Sequence, residues 1–192
     1  MSTGTYKPYR EYKGKSLLAL VPDYVAVDIE TTGLDPQQND IIEIGAIRII
    51  DGQKAGSFSS LINPGYEIDE FITGLTGITN EMLASAPAIE DVLPHFLEFV
   101  GESIVLGHNV NFDVNFIYDN CESTLGRSFA NDFVDTMRLS RRLYPEHRHH
   151  RLSDLVGRFG VGEAVEHRAL ADAEQTFRCY EYMKMYICKI SN

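Results

Sequence analysis

Three acid-bearing segments, far apart in the chain, constrain its fold more than any other feature. Asp28-Ile-Glu30 closes an apolar run, Asp113 ends the stretch His108-Asn109-Val-Asn-Phe112-Asp113, and His167-Arg-Ala-Leu-Ala-Asp172 opens the last helical pattern. Each places an acid where a backbone element could aim it into a cleft, so a common site requires a topology that brings all three together. On a strand, residues two apart share a face, and Asp28 with Glu30 then forms a two-carboxylate shelf at a strand end. Taken alone, such a pair would be no more than the end of a strand. Four converging carboxylates, however, raise one another's pKa, and hard divalent cations are their natural counter-charge.

The 192 residues, 44% of them hydrophobic, suit one well-buried core rather than two full domains. Residues 21–192 are expected to form that single domain and residues 1–20 a flexible N-terminal tail. Cys121, Cys179 and Cys188 are odd in number and lack CxxC spacing, which signals neither a disulfide framework nor a zinc site and fits a reducing cytoplasm. The apolar stretch at 17–21 is cut short by Pro22 and Asp23, below the length of a secretory or membrane-spanning segment. A soluble cytoplasmic protein without a membrane partner is the expectation. The formal net charge of -11 argues against a broad electrostatic grip on nucleic acid. A local one is still allowed, because Arg138, Arg141, Arg142, Arg148 and Arg151 share their stretch with a single acid, Glu146.

Apolar runs alternating with helical patterns predict an α/β chain. Buried strands are expected over 24–29 and 41–50, with 56–62 returning as a hairpin partner across Asp51-Gly52. Three strands without intervening helices make an antiparallel meander. Beyond them helices are expected over 89–100, 111–121, 136–143, 152–159 and 168–187, with short strands at 103–106 and 133–135. The result is a mixed five-stranded sheet, three antiparallel strands and then parallel additions, flanked by helices. Phe177, Tyr180, Met183 and Met185 read as the buried face of the last helix.

In order and spacing, Asp28-Ile-Glu30-Thr31-Thr32-Gly33-Leu34, then His108-Asn109-Val-Asn111-Phe112-Asp113, then His167 with Asp172 resemble the three motifs of the DEDDh family of 3′–5′ exonucleases. The likeness is greatest to its proofreading branch, the exonucleases of bacterial replicative DNA polymerases. Pro64-Gly65, Gly77-Ile-Thr-Asn-Glu81-Met82 and the run from Asp135 to Pro145 resemble that branch between its motifs. The resemblance implies a ribonuclease H-like fold. It also implies a metal-dependent enzyme that releases nucleoside 5′-monophosphates from single-stranded or frayed DNA 3′ ends, with a polymerase catalytic subunit or another replication or repair protein as partner.

On the same resemblance, Asp28, Glu30, Asp113 and Asp172 would hold two magnesium or manganese ions, roughly 3.5 to 4 Å apart. An all-carboxylate shell suits these metals, whereas zinc favours histidine or cysteine. His167 would take the proton of the attacking water, a role suited to imidazole. Leu34 would wedge against the terminal base and Phe112 stack on it, with ordinary core packing as the alternative for both. Main-chain groups near Thr31 and Thr32 would receive the 3′ hydroxyl, Glu81 would touch the terminal sugar, and His108 and Asn109 would cap the next helix or position the site. The His147-Arg-His149-His150 cluster reads as a solvated or phosphate-facing strip rather than a metal site. Two further readings stay open: an RNA-trimming exonuclease similar to ribonuclease T or oligoribonuclease, and a noncatalytic nucleic-acid-binding module. The Thr31-Thr32-Gly33-Leu34 sequence resembles the proofreading branch more, and the presence of all four acids and His167 favours an enzyme.

Overall fold

The structure, a computed structural model, describes residues 9–162 and 167–190. Strands β1 (Ser16–Leu17), β2 (Tyr24–Thr31), β3 (Ile41–Ile50), β4 (Gln53–Leu61), β5 (Val105–Gly107) and β6 (Phe133–Asp135) form one sheet in the order β1-β6-β5-β2-β3-β4. Helices α1 (Glu70–Thr76), α2 (Asn80–Ala84), α3 (Ile89–Val100), α4 (Asn111–Asn120), α5 (Thr136–Leu143), α6 (Leu152–Phe159) and α7 (Ala169–Ile190) flank it. The expected meander is present: β2, β3 and β4 pair antiparallel, while β5 joins β2 and β6 joins β5 in parallel. Between β3 and β4, Asp51 and Gly52 both take positive φ, 50° and 72°. That is the mirror-image turn whose twist matches two-residue hairpins.

Two expectations change. The sheet has a sixth strand, because Ser16 and Leu17 pair in parallel with Phe133 and Val134. The tail assigned to 1–20 is therefore attached to the domain from Arg10 onward; residues 1–8 lie outside the described residues. Arg10 donates from Nε and Nη2 to the Asp119 carboxylate at 2.7 and 2.6 Å, and Lys13 Nζ donates to Asn111 and Asn115 on α4 at 2.6 and 2.7 Å. The stripe on the last helix also needs correction. Tyr180 and Met183 are buried, but Met185 is 57% exposed, since the C-terminal turns of α7 run past the edge of the core.

Alternation along β2 sets the two faces. Val25, Val27 and Ile29 pack with Val92 and Phe96 of α3 and Val114 and Ile117 of α4, whereas Tyr24 and Ala26 pack with Leu139, Leu155, Tyr180 and Met183 from α5, α6 and α7. Each of the Val, Leu, Ile, Phe and Met side chains among them contributes about 1.5 to 3 kcal/mol by leaving water. The next even positions, Asp28 and Glu30, continue the α7-side face beyond the apolar core. That core fixes where they point. Among the described residues no helix is long and apolar enough to cross a membrane, and the three cysteines are free thiols.

Candidate active site

The site lies where β2 ends. Its ladder with β3 places Asp28 opposite Gly45 and Glu30 opposite Glu43, and the register shifts between Glu30 and Thr31. Such an irregularity bends the strand and re-aims its last side chains. A Cβ on Gly45 would lie 2.2 Å from Leu170 N and 2.3 Å from the Ala169 carbonyl carbon, so the missing side chain is what lets the first turn of α7 rest directly on β3. That approach brings α7's first-turn acid over the shelf: ligand atoms of Glu30, His167 and Asp172 all lie within 4.8 Å of one another. From the opposite face, α4 sends Asp113, whose Oδ1 accepts the Ile29 N–H at 3.2 Å. The fold thus gathers all four acids and His167 at one edge of the sheet.

Negative charge is concentrated there, with the Arg168 guanidinium working against it at Glu30. Asp113 and Asp172 are buried, Asp28 and Glu30 half-buried. Burial, together with Asp172, Glu43 and Asp113, pushes the Glu30 carboxyl up to about 8. Burial likewise pushes Asp113 up to about 8, against the backbone N–H groups of Asp113 and Ile29 that favour its anion. Asp28 is raised well above the usual carboxylate range by burial and by Asp113. Folded-state pKa values above those of the unfolded chain mean that the native protein binds more protons between about pH 4 and 8, so stability falls as pH rises through that window. Melting in chelator should therefore show a midpoint that declines from pH 5 to 9. Magnesium, binding only the folded form, should reverse the decline; a flat profile in chelator would contradict this electrostatic picture.

The softer residues divide. Leu34 is 86% exposed beside the site, so core packing is not its role, while Phe112 is half-buried against Phe116 at 4.9 Å. Thr32 donates its N–H to the Asp40 carbonyl at 2.9 Å, and Thr31 Oγ1 donates to the Gly33 carbonyl at 2.7 Å, so both hold the turn after β2. Tyr66, not foreseen, hydrogen-bonds both Thr32 Oγ1 and Asp40 at 3.1 and 2.6 Å. It lines an open groove of about 480 Å³ with Glu81, Asn80 and Asn63. His108 does not cap α4: its Nδ1 pairs with Thr136 Oγ1 at 2.9 Å, and burial pushes the imidazole down to about 4, leaving it neutral. Asn109 takes a left-handed backbone, φ 60°, and donates its N–H to Asp135 at 3.0 Å, linking β5 to α5. Of the histidine cluster, His150 is buried between Ser140 Oγ and the His147 carbonyl, while His147 and His149 are exposed with Arg141, Arg142 and Arg148.

Missing from the sequence-based set was Glu43. Its signal was present: a lone acid inside Ile41-Ile42-Glu43-Ile44, where a buried charge requires a partner. The partner is Arg168, next to His167.

Residues 25–180 match the model of the Exonuclease family. The chain belongs to that family. Over 153 residues this exonuclease is 42% identical to the DNA polymerase III subunit epsilon of Aquifex aeolicus, covering 80% of the chain and 76% of that protein. It is also 42% identical over 163 residues to the PolC-type DNA polymerase III of Caldanaerobacter subterraneus subsp. tengcongensis, but there it spans only 12% of the relative. Among solved structures it superposes on Exonuclease X in complex with 5′ overhanging duplex DNA, with a TM-score of 0.67, 28% identity and coverage of 84% of this chain and 92% of that one. The Escherichia coli ExoI–ssDNA complex matches with a TM-score of 0.75 at 20% identity over 90% of this chain and 41% of that one, a likeness of fold. The ribonuclease H-like architecture and the 3′–5′ exonuclease class agree with the resemblance read from the motifs.

Proposed function

We propose that this edge of the sheet hydrolyses the last phosphodiester of unpaired DNA 3′ ends and releases nucleoside 5′-monophosphates one at a time, as a proofreading enzyme does. The observation that carries the reading is the meeting of Glu30, His167 and Asp172 within 4.8 Å, beside Asp28 and the Asp113 carboxylate. The donor set fits hard divalent ions: it is rich in carboxylate oxygens, and the raised pKa values mark acids crowded together and buried. Asp28, Glu30, Asp113 and Asp172 would hold two magnesium or manganese ions. When bound, such ions neutralise developing charge on the phosphate and the departing 3′ oxygen and make water a better nucleophile.

The side chains do the rest. His167, exposed at the rim, accepts the proton of the attacking water and can pass it to solvent. Phe112 offers a ring face for the terminal base, and Leu34, 86% exposed, stands free to wedge against it, a sequence-tolerant mode of capture. Drawing a paired end into such a pocket costs a few kcal/mol of unstacking and unpairing, which favours mismatched termini. A polymerase catalytic subunit that delivers frayed ends is the partner this reading calls for, and the epsilon relative is by name a subunit of such a polymerase.

The test is a product ladder from end-labelled DNA and RNA of one sequence, with magnesium or with chelator. Single-nucleotide steps from the 3′ end of DNA, faster on mismatched than on matched primer termini and absent in chelator, are expected. Faster shortening of RNA than of DNA would move the substrate to the RNA-trimming reading. Efficient cutting of circular single strands would overturn an exonucleolytic site.

A further inference from the structure

Resting on the assignment of His167 as proton acceptor, we propose that Glu43 and Arg168 form a positioning pair that holds this imidazole over the acids. Glu43 stands opposite Glu30 in the β2–β3 ladder and is 2% exposed. A fifth carboxylate so close to the other four is unfavourable by itself. Its oxygens are taken up entirely by the start of α7. Arg168 Nη2 donates to Oε1 at 2.8 Å, Arg168 Nε reaches Oε2 and Oε1 at 3.1 and 3.3 Å, and the Ala169 N–H donates to Oε2 at 3.0 Å. One buried acid therefore fixes the side chain of residue 168 and the first N–H of the helix, a donor with no partner inside the helix.

The residue before this clamp is the one whose geometry needs explaining. His167 takes φ 50°, a left-handed conformation that a non-glycine residue keeps only where its surroundings over-determine it. Docking of α7 as a whole does not require the ion pair, because Ala173, Cys179, Tyr180 and Met183 already bury that helix against the sheet. Satisfying the Ala169 N–H does not require it either, since an uncharged Ser or Thr cap would suffice. What the paired guanidinium adds is a rigid fork that fixes orientation as well as distance. It acts on the peptide immediately following His167. Gly45 completes the seat by allowing the helix start to touch β3, so the Glu43 carboxylate, the helix origin and the histidine share one fixed geometry.

A double-mutant cycle separates this role from general support of the fold. The four proteins are the wild type, Arg168→Gln, His167→Asn, whose side chain tolerates the left-handed backbone, and the double variant, all assayed on a single-stranded DNA oligonucleotide with saturating magnesium. Arg168→Gln is expected to lower kcat by about 10- to 100-fold, as loss of an orienting partner does, with KM changed by no more than about twofold. Arg168→Lys keeps the charge without the fork and recovers only part of the loss. In the His167→Asn background, Arg168→Gln should cost nothing more, because the group it positions is gone. Independently of turnover, the Ala169 amide should exchange its hydrogen faster in Arg168→Gln than in wild type. Should Arg168→Gln leave Glu43 as a lone buried charge and fail to fold, Glu43→Gln with Arg168→Gln removes both charges and carries the same expectations. Losses that multiply in the double variant, or a full kcat for Arg168→Gln, would overturn the positioning role while leaving the exonuclease reading standing. A wild-type chain with no 3′–5′ activity would instead fail the functional reading, and this inference with it.

Discussion

Replacing Asp113 with asparagine is expected to abolish turnover and, in the same protein, to raise the thermal stability of the metal-free form. The two effects share one cause. Asp113 sits buried among carboxylates with its pKa lifted to about 8, so its charge is what a divalent ion needs and what the apo fold resists. Asparagine keeps the shape and still offers an oxygen to the Ile29 N–H, so the α4–β2 contact survives while the charge does not. Loss of activity should be on the order of 10³-fold or more, the scale on which removal of a single electrostatic stabiliser of a transition state is felt. The apo gain should be small below about pH 4, where the carboxyl is protonated in the folded and the unfolded chain alike, should grow as pH rises from there toward 8, and should be largest above pH 8. A midpoint higher by several degrees at pH 9 is a reasonable scale, since about 1 kcal/mol moves a domain of this size by ~2 to 4 °C. The added stability that magnesium gives the wild type should shrink in the variant. An Asp113→Asn protein that keeps wild-type turnover would remove Asp113 from the metal-binding set.

The legible parts of this fold are those whose pattern is local. The apolar run of β3 and the periodic segments α3, α5 and α6 occupy the bounds expected from the sequence, because apolar runs and 3.6-residue periods are properties of neighbouring residues. β1 could not be read that way. It is two residues long and exists only because Phe133 and Val134 offer it a parallel edge. α1 and α2, seven and five residues long, are too short to show a period and are fixed instead by caps from Asp69 and Thr79. Met185 shows the converse error: a periodic stripe continues in sequence after the core it would face has ended.

The site was legible in the same uneven way. Asp28, Glu30, Asp113, His167 and Asp172 stand out by residue type and spacing, and the structure brings them together at the end of β2. The residues that prepare the site stand out less. Glu43 is one acid in an apolar run, and Arg168 lies 125 positions away; nothing local links them until β3 and α7 are laid together. Tyr66 bridges Thr32 and Asp40 through a hydroxyl whose partners are set by tertiary structure alone. For His108 a helix cap was one of two expectations, the other being a role in positioning the site; the chain turns its imidazole away from the helix start and toward Thr136, where burial keeps it neutral.

His167 should behave unlike any of the acids. Its replacement removes a proton acceptor but leaves the four carboxylates in place, so substrate binding and the thermal shift caused by magnesium should persist while kcat falls by roughly 10² to 10⁴-fold. His167→Asn is the suitable variant for rate and metal measurements, because asparagine accepts positive φ more readily than alanine does and the Arg168–Glu43 clamp beside it is untouched. His167→Gly also tolerates that backbone and opens space at an exposed rim. Added imidazole should therefore restore part of the rate to His167→Gly, and none to Asp113→Asn, whose defect is in charge rather than in proton transfer. The comparison is read from initial rates on one single-stranded DNA oligonucleotide with imidazole titrated at constant ionic strength and pH. An undiminished kcat in His167→Asn would move the acceptor role to another group. A lost magnesium shift in that variant would instead make His167 part of the metal shell, consistent with its ligand atom lying within 4.8 Å of those of Glu30 and Asp172, and the proton would then have to leave by way of solvent.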